Sequence, residues 1–318
     1  MILVTGANGR IGRHLVRALL DRGDSVRALV FSKGGLRPRK NLEIVEGDVT
    51  KKEDVRKAVA GVDTVYHLAA IIDYDAPKKQ MKAVNIEGTQ NVIEASKGKK
   101  LIYLSSTAVM GKKLSKIPAD ESGACRPTDY YGQTKLKAEK MVREAGGIAI
   151  RSADVYGSGF EEGYYAVMKG LDSGKLQIIG DGKNFIQYIH VSDLVQALLL
   201  ARDRGNPGEV YIVTGDDVFT LEECFALLAK HLGVKPPAKH ISVELAKFMA
   251  RVSRIKSKLK HKKSSLAPEH VSKLVANRKF DISKAKNELG FQPHVSYDQG
   301  FKEMVDEYRS RQGQQGKQ

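Results

Sequence analysis

The chain has 318 residues, with 53 lysines and arginines against 37 aspartates and glutamates, a formal charge of +16 and 42% hydrophobic residues. That balance excludes a disordered or collagen-like chain, and the length fits about two units of an ordinary globular protein. The positive charge favours anionic partners such as phosphorylated cofactors or nucleic acid. With only Cys125 and Cys224, neither a disulfide framework nor a four-cysteine zinc site can be built, so a reducing cytoplasm is the expected compartment.

The first residues, Met1-Ile2-Leu3-Val4-Thr5, read as a strand and not as a secretory signal. No apolar run reaches the roughly 20 residues that cross a bilayer, so no membrane insertion is expected. Short β-branched runs then alternate with amphipathic stretches over 2–5, 11–20, 26–31, 42–46, 55–59 and 65–68, the pattern of repeated βαβ units. A helix over 84–95, a strand over 101–105, a helix over 131–144 and a strand over 148–151 follow. Continuous apolar strands are what a parallel sheet covered on both faces requires.

The predicted fold is therefore α/β, a Rossmann doubly wound parallel sheet with a smaller, mainly helical C-terminal substrate lobe. Residues 1–155 form the sheet domain, 186–214 return to it through a helix over 194–202 and a strand over 210–214, and 156–318 form the lobe. Turn clusters at Tyr156-Gly157-Ser158-Gly159 and Ile179-Gly180-Asp181-Gly182 mark the crossing. Residues 312–318 read as a frayed tail.

Residues 251–263 carry Arg251, Arg254, Lys256, Lys258, Lys260, Lys262 and Lys263 and no acid. They continue a helix whose apolar stripe is Leu245, Phe248, Met249, Val252, Ile255 and Leu259. The leading expectation is a helix packed through that stripe with a solvated basic face. Recruitment of an anionic substrate, or binding of a membrane surface or nucleic acid, is the alternative. The aromatic interleaving of single-strand binders is missing, and no nucleic-acid partner is expected.

Between the first strand and helix lies Thr5-Gly6-Ala7-Asn8-Gly9-Arg10-Ile11-Gly12, glycines three apart where the chain must turn and let a pyrophosphate approach the backbone. The helix N-terminus adds free N–H groups and a positive dipole. Gly6, Asn8, Gly9, Arg10, Ile11 and Gly12 are thus candidate dinucleotide contacts. The second strand ends Val30-Phe31-Ser32-Lys33, with no carboxylate for an adenosine ribose 2′-hydroxyl. Ser32 and Lys33 join the candidates, and Lys33, Arg37 and Arg10 favour NADP slightly over NAD.

Tyr-x-x-x-Lys occurs at Tyr74/Lys78, Tyr131/Lys135 and Tyr165/Lys169. Pro77 disrupts the first, and the third lies beyond the Rossmann strands. Tyr131 follows the N-cap candidates Thr128 and Asp129, on a helix after the strand end Ser105-Ser106-Thr107. Residues i and i+4 share a helix face, and an ammonium beside a phenol lowers a pKa ordinarily near 10. Tyr131 is the expected proton-transfer group, Lys135 its partner and Thr107 the hydroxyl that holds the substrate oxygen. His67 and His190 sit at strand positions that suit core or supporting roles, no metal-binding spacing is present, and no metal is expected.

The chain resembles the extended short-chain dehydrogenase/reductases, the NAD-dependent epimerase/dehydratase family. Beyond the glycine loop and Tyr131/Lys135, the resemblance rests on Gly47-Asp48-Val49, His67-Leu68-Ala69-Ala70, Asn85-Ile86-Glu87-Gly88-Thr89, Ser105-Ser106-Thr107, Val155-Tyr156-Gly157, His190-Val191-Ser192-Asp193-Leu194 and Ser283-Lys284-Ala285 before Leu289-Gly290-Phe291. It implies that Asp48 and Val49 touch adenine, that Leu68, Ala69, Ala70 and Val155 line the cofactor, that Asn85 supports the site, and that Ser105 and Ser106 border the nicotinamide ribose. It also implies a catalytic Thr107 and a homodimer pairing helices 85–95 and 131–144. The segment at 184–189 lacks the arginine of nucleotide-sugar enzymes, and no Arg-x-Gly-Asp precedes Ser283. The expected function is hydride transfer at a secondary alcohol or ketone, closest to hydroxysteroid dehydrogenases and dihydroflavonol reductases. A nucleotide-sugar epimerase or dehydratase with retained NAD, and a non-catalytic NAD(P)-binding sensor, are the alternatives.

Overall fold

The computed structural model describes residues 1–73, 75–259 and 268–315. Tyr74 of the first Tyr-Lys pair, the basic residues Lys260, Lys262 and Lys263 with His261, and the last three residues lie outside the described residues. In chain order the first half runs β1 (Ile2–Thr5), α1 (Arg10–Asp21), β2 (Val26–Val30), β3 (Leu42–Glu46), α2 (Lys52–Val59), β4 (Thr64–His67), α3 (Lys78–Lys82), a π-helical turn (Ala83–Gly88), α4 (Thr89–Ala95), β5 (Lys100–Ser106), a 3-10 turn (Thr107–Met110), α5 (Tyr130–Glu144) and β6 (Ile148–Ser152).

The second half continues with β7 (Asp154–Tyr156), α6 (Glu161–Asp172), β8 (Ile178–Ile179), β9 (Phe185–Ile186), β10 (Tyr188–His190), α7 (Val191–Arg204) and β11 (Val210–Val213). Then come β12 (Phe219–Thr220), α8 (Leu221–Leu232), β13 (His240–Ile241), α9 (Val243–Leu259), α10 (Pro268–Leu274), a second π-helical turn (Ala285–Leu289) and α11 (Tyr297–Gln315).

Seven parallel strands form the main sheet in the order β11-β6-β5-β4-β1-β2-β3. Its inner strands are buried along their length because successive residues enter different cores. Ile2 and Val4 of β1, with Ile102 and Leu104 of β5, face the layer of α1 and α7. Leu3, Leu101 and Tyr103 face the layer of α2, α4 and α5. The strand order reverses between β1 and β4, so their carboxyl ends open a crevice, the usual ligand position in such sheets. The predicted helix over 84–95 begins as a π-helical turn, which a 3.6-residue pattern does not reveal.

A third core joins α6, α8 and α11 through Met168, Leu228 and Phe301, with Tyr156 from the end of β7 among them. Thr220 starts α8 with a reciprocal cap, its hydroxyl accepting from the Glu223 N–H while the Glu223 carboxylate accepts from Thr220 N–H.

The structure corrects one packing expectation. The helix predicted across 245–259 forms, but it packs through Ala246 and Ala250 against Val271 of α10. The larger stripe residues Leu245, Phe248, Met249 and Ile255 are exposed. Two alanines one turn apart let α10 approach closely, and that takes the seam away from the bulkier side chains. Among the described residues no helix is long and apolar enough to cross a membrane.

Candidate active site

β1 ends at Thr5 and the chain reverses at Gly6, whose φ of +65° is disfavoured for other residues; a Cβ there would stand 2.9 Å from Ala69 Cα. At Gly12 a Cβ would lie 2.2 Å from the Gly6 carbonyl oxygen, so α1 rests on the bend only because this position carries no side chain. Gly9 caps α1 without a side-chain acceptor, leaving first-turn N–H groups for an outside anion. The cradle therefore fits a pyrophosphate.

A chain of hydroxyls and one imidazole braces this bend against the rest of the site. Thr89 donates to the Asn85 carbonyl, so it accepts from His67 Nε2 at 2.9 Å, and His67 Nδ1 in turn accepts from the Thr5 hydroxyl at 2.7 Å. Thr5 Oγ1 also accepts from the N–H groups of Leu68 and Ala69. Burial, with the Lys135 charge behind it, pulls the His67 pKa down to about 3, so the ring is neutral. Asn85 binds both polar groups of Ile71 and donates to Thr134 on α5 at 3.0 Å.

α5 starts at Asp129, whose carboxylate accepts from Gly132 N–H at 2.8 Å. Tyr131 and Lys135 then lie one turn apart, both buried. The hydroxyl beside the phenol is that of Ser106, and both line the cavity. Thr107, expected to hold the substrate oxygen, is 2% exposed, begins the 3-10 turn and is not among the described residues that line the cavity. Side chains alternate along β5, so Ser105 donates to Glu139 at 2.6 Å while Ser106, the next residue, faces the phenol.

The expected lowering of the phenol pKa is also corrected. Burial raises Tyr131, opposed by the Ser106 hydrogen bond. Lys135 donates a hydrogen bond to the Leu104 carbonyl at 2.6 Å and lies 4.1 Å from the Tyr103 ring centroid. Burial brings its pKa down to about 7, opposed by the Glu139 carboxylate. Glu139, one further turn along α5, is held by Arg151 at 2.7 Å with both side chains buried. Sequence reasoning missed this pair, although the Lys135-x-x-x-Glu139 spacing was there to read.

One cavity of about 680 Å³ joins these groups. The glycine bend contributes Gly6, Gly9, Arg10, Ile11 and Gly12; Leu68 and Ala70 follow the end of β4, and Ser105, Ser106, Tyr131, Lys135 and Val155 line it as well. Other predicted residues stand outside it among the described residues. Asn8 donates to the carbonyls of Ser32 and Gly34, fastening the exposed loop that carries Ser32 and Lys33. The Asp48 carboxylate accepts from Thr50 N–H, Val49 is buried in the second core, Ala69 lies against Gly6, and Asn85 braces α5.

The lobe supplies the remaining walls, which are largely apolar, with Tyr164, Phe185, Tyr188, Phe225 and Leu228 among them. It also adds polar groups that the sequence reading did not select. Lys273 pairs with Asp154 at 2.7 Å, and Arg278, 9% exposed, donates to the carbonyls of Thr107 and Gly111. Arg278 comes from Arg278-Lys279-Phe280-Asp281, a charged cluster that only tertiary folding brings to the site.

Residues 2–214 match the family described as "NAD dependent epimerase/dehydratase family". The chain belongs to that family. Residues 162–304 also match the family described as "GDP-mannose 4,6 dehydratase". Among curated relatives, a 3-beta-hydroxysteroid dehydrogenase of Mycolicibacterium neoaurum is 29% identical over 96% of this chain and 91% of that protein. The 3beta-hydroxysteroid-dehydrogenase/decarboxylase isoform 1 of Arabidopsis thaliana is 30% identical over 96% of this chain and 79% of that protein. A solved UDP-glucuronic acid 4-epimerase from Bacillus cereus, in complex with NAD, shares the fold with a TM-score of 0.77 at 24% identity, covering 98% of this chain and 99% of that one. This member is accordingly an enzyme of the extended short-chain dehydrogenase/reductase type.

Proposed function

We propose that this family member is an NAD(P)-dependent oxidoreductase that interconverts a secondary alcohol and a ketone on an apolar, ring-bearing substrate of the sterol class. The carrying observation is the single cavity that runs from the glycine bend past Tyr131 to aromatic and aliphatic walls in the lobe. Sequence relatives named as 3-beta-hydroxysteroid dehydrogenases support the same reading.

In this reading the α1 N-terminus and the glycine bend hold the pyrophosphate. Lys33, Arg37 and Arg10 favour the 2′-phosphate of NADP, since no carboxylate follows β2. Asp48 and Val49 flank adenine. When bound, the nicotinamide supplies or accepts hydride at the carbinol carbon. Tyr131 donates the proton to the carbonyl oxygen in reduction and removes it in oxidation, while Ser106 holds that oxygen through its hydroxyl. Lys135 holds the ribose and, in doing so, turns its charge toward the phenol. Glu139 and Arg151 keep Lys135 in place. A homodimer through 85–95 and α5 completes the reading.

The test is a screen of hydroxysteroids, simple ketones and nucleotide sugars with both coenzymes, following nicotinamide absorbance. Net coenzyme turnover on hydroxysteroids is the expected result. Nucleotide-sugar conversion without net absorbance change would replace it with the epimerase or dehydratase reading.

A further inference from the structure

The helix α9 departs from the usual rule that a helix buries its largest apolar side chains. It seats Ala246 (4% exposed) and Ala250 (0%) on α10 and leaves Leu245 (51%), Phe248 (60%), Met249 (51%) and Ile255 (61%) to solvent. At about 3.6 residues per turn these four side chains fall within one outward arc. Lys247 and the exposed Arg251, one turn apart, border the arc on one side, with Glu244 the one acid of the helix. From Arg251 to Pro268 the sequence holds seven lysines and arginines and no acid.

The helix is also tied to the cavity. Arg254 pairs with Asp75 at 2.7 Å and Glu269 at 3.2 Å, pinning α9 to the segment after Ile72 and to the start of α10. Ile72 is itself 53% exposed and lines the cavity. α10 presents His270, Lys273 and Leu274 to the cavity while its Val271 meets α9. One short helix thus separates the site from the exposed stripe.

We infer that α9 is a membrane-surface helix, whose outward stripe enters the headgroup boundary of an anionic bilayer while Lys247 and Arg251 meet the lipid headgroups. Charge complementarity selects this occupant: apolar residues on one arc with cations beside them are what an anionic lipid surface binds. A second copy of the chain seated on the same arc would bring Lys247 and Arg251 of one copy toward those of the other. The inference goes beyond the proposed oxidoreductase activity and stands without it, because lipid binding is measured with no substrate present.

The test is co-sedimentation of the full chain with vesicles. The wild-type chain pellets with phosphatidylcholine–phosphatidylserine vesicles, stays in solution with phosphatidylcholine alone, and is released by salt. Leu245→Gln with Phe248→Gln, and separately Lys247→Gln with Arg251→Gln, each weaken vesicle binding by about tenfold or more. Both variants turn over a water-soluble ketone at the wild-type rate. Wild-type chain left in solution by the anionic vesicles would overturn the inference, as would variants that pellet like wild type. So would light scattering that shows a dimer split into monomers by Leu245→Gln with Phe248→Gln.

Discussion

The main sheet and the helical lobe meet at one cavity but bring to it two different kinds of structure. On the sheet side, position is fixed by backbone: a bend that admits only glycine, an uncapped helix start, and the Thr5–His67–Thr89 chain that ties β1, β4 and α4 together. On the lobe side, position is fixed by packed side chains from α8, β9 and α10, which line the cavity as a mostly apolar surface with a few charges. Backbone geometry suits a coenzyme whose phosphates are always the same. Side-chain packing suits a substrate that differs from one member to the next.

That division is broken most severely at Gly12. Gly12→Val forces a branched side chain onto the Gly6 carbonyl, and dinucleotide affinity falls by about 10³-fold in a calorimetric titration, with far-ultraviolet dichroism reporting whether the sheet survives. On the other side, Phe185→Ala raises KM for the substrate about tenfold and leaves dinucleotide Kd within about twofold. If both variants moved the same constant, the division would be false.

Hydroxyl placement sharpens the same comparison at smaller scale. Ser106→Ala lowers kcat by about 10²-fold, whereas Thr107→Ala, which removes a buried methyl and hydroxyl away from the cavity, changes kcat by no more than about threefold. Equal losses in steady-state assays would return the role to Thr107.

A different kind of effect, on stability, concerns the brace. His67 has a folded pKa of about 3 against an ordinary 6.5, so the unfolded chain binds the extra proton between those values. Stability contributed by the neutral ring is complete above about pH 6.5 and is lost as pH falls toward 3, at up to about 1.4 kcal/mol per pH unit. Urea unfolding from pH 7 to 4 measures this, and His67→Gln removes that part of the slope.

Much of the sheet was legible because strands buried on both faces are written as unbroken apolar runs, and β1 over Ile2–Thr5 was readable to the residue. The glycine bend was equally plain, since its spacing is itself the geometry. Ser106 was not, because Ser105, Ser106 and Thr107 are three adjacent hydroxyls and the choice depends on where β5 ends and the 3-10 turn begins. The exposed face of α9 was hidden for a related reason. Periodicity reveals that a stripe exists, but the alanines at 246 and 250 decide which side is covered, and small residues give a weak signal. Arg278 and Asp154 reach the cavity from segments 124 positions apart in the numbering, a proximity no local pattern carries.

The central claim is that the phenol of Tyr131 moves the proton in a cavity that holds the coenzyme independently of it. Tyr131→Phe tests this most directly, because the ring still fills its place and only the hydroxyl is lost. Turnover with a hydroxysteroid is expected to fall by about 10³-fold while dinucleotide Kd stays within about twofold of wild type. Turnover within a few-fold of wild type would contradict it.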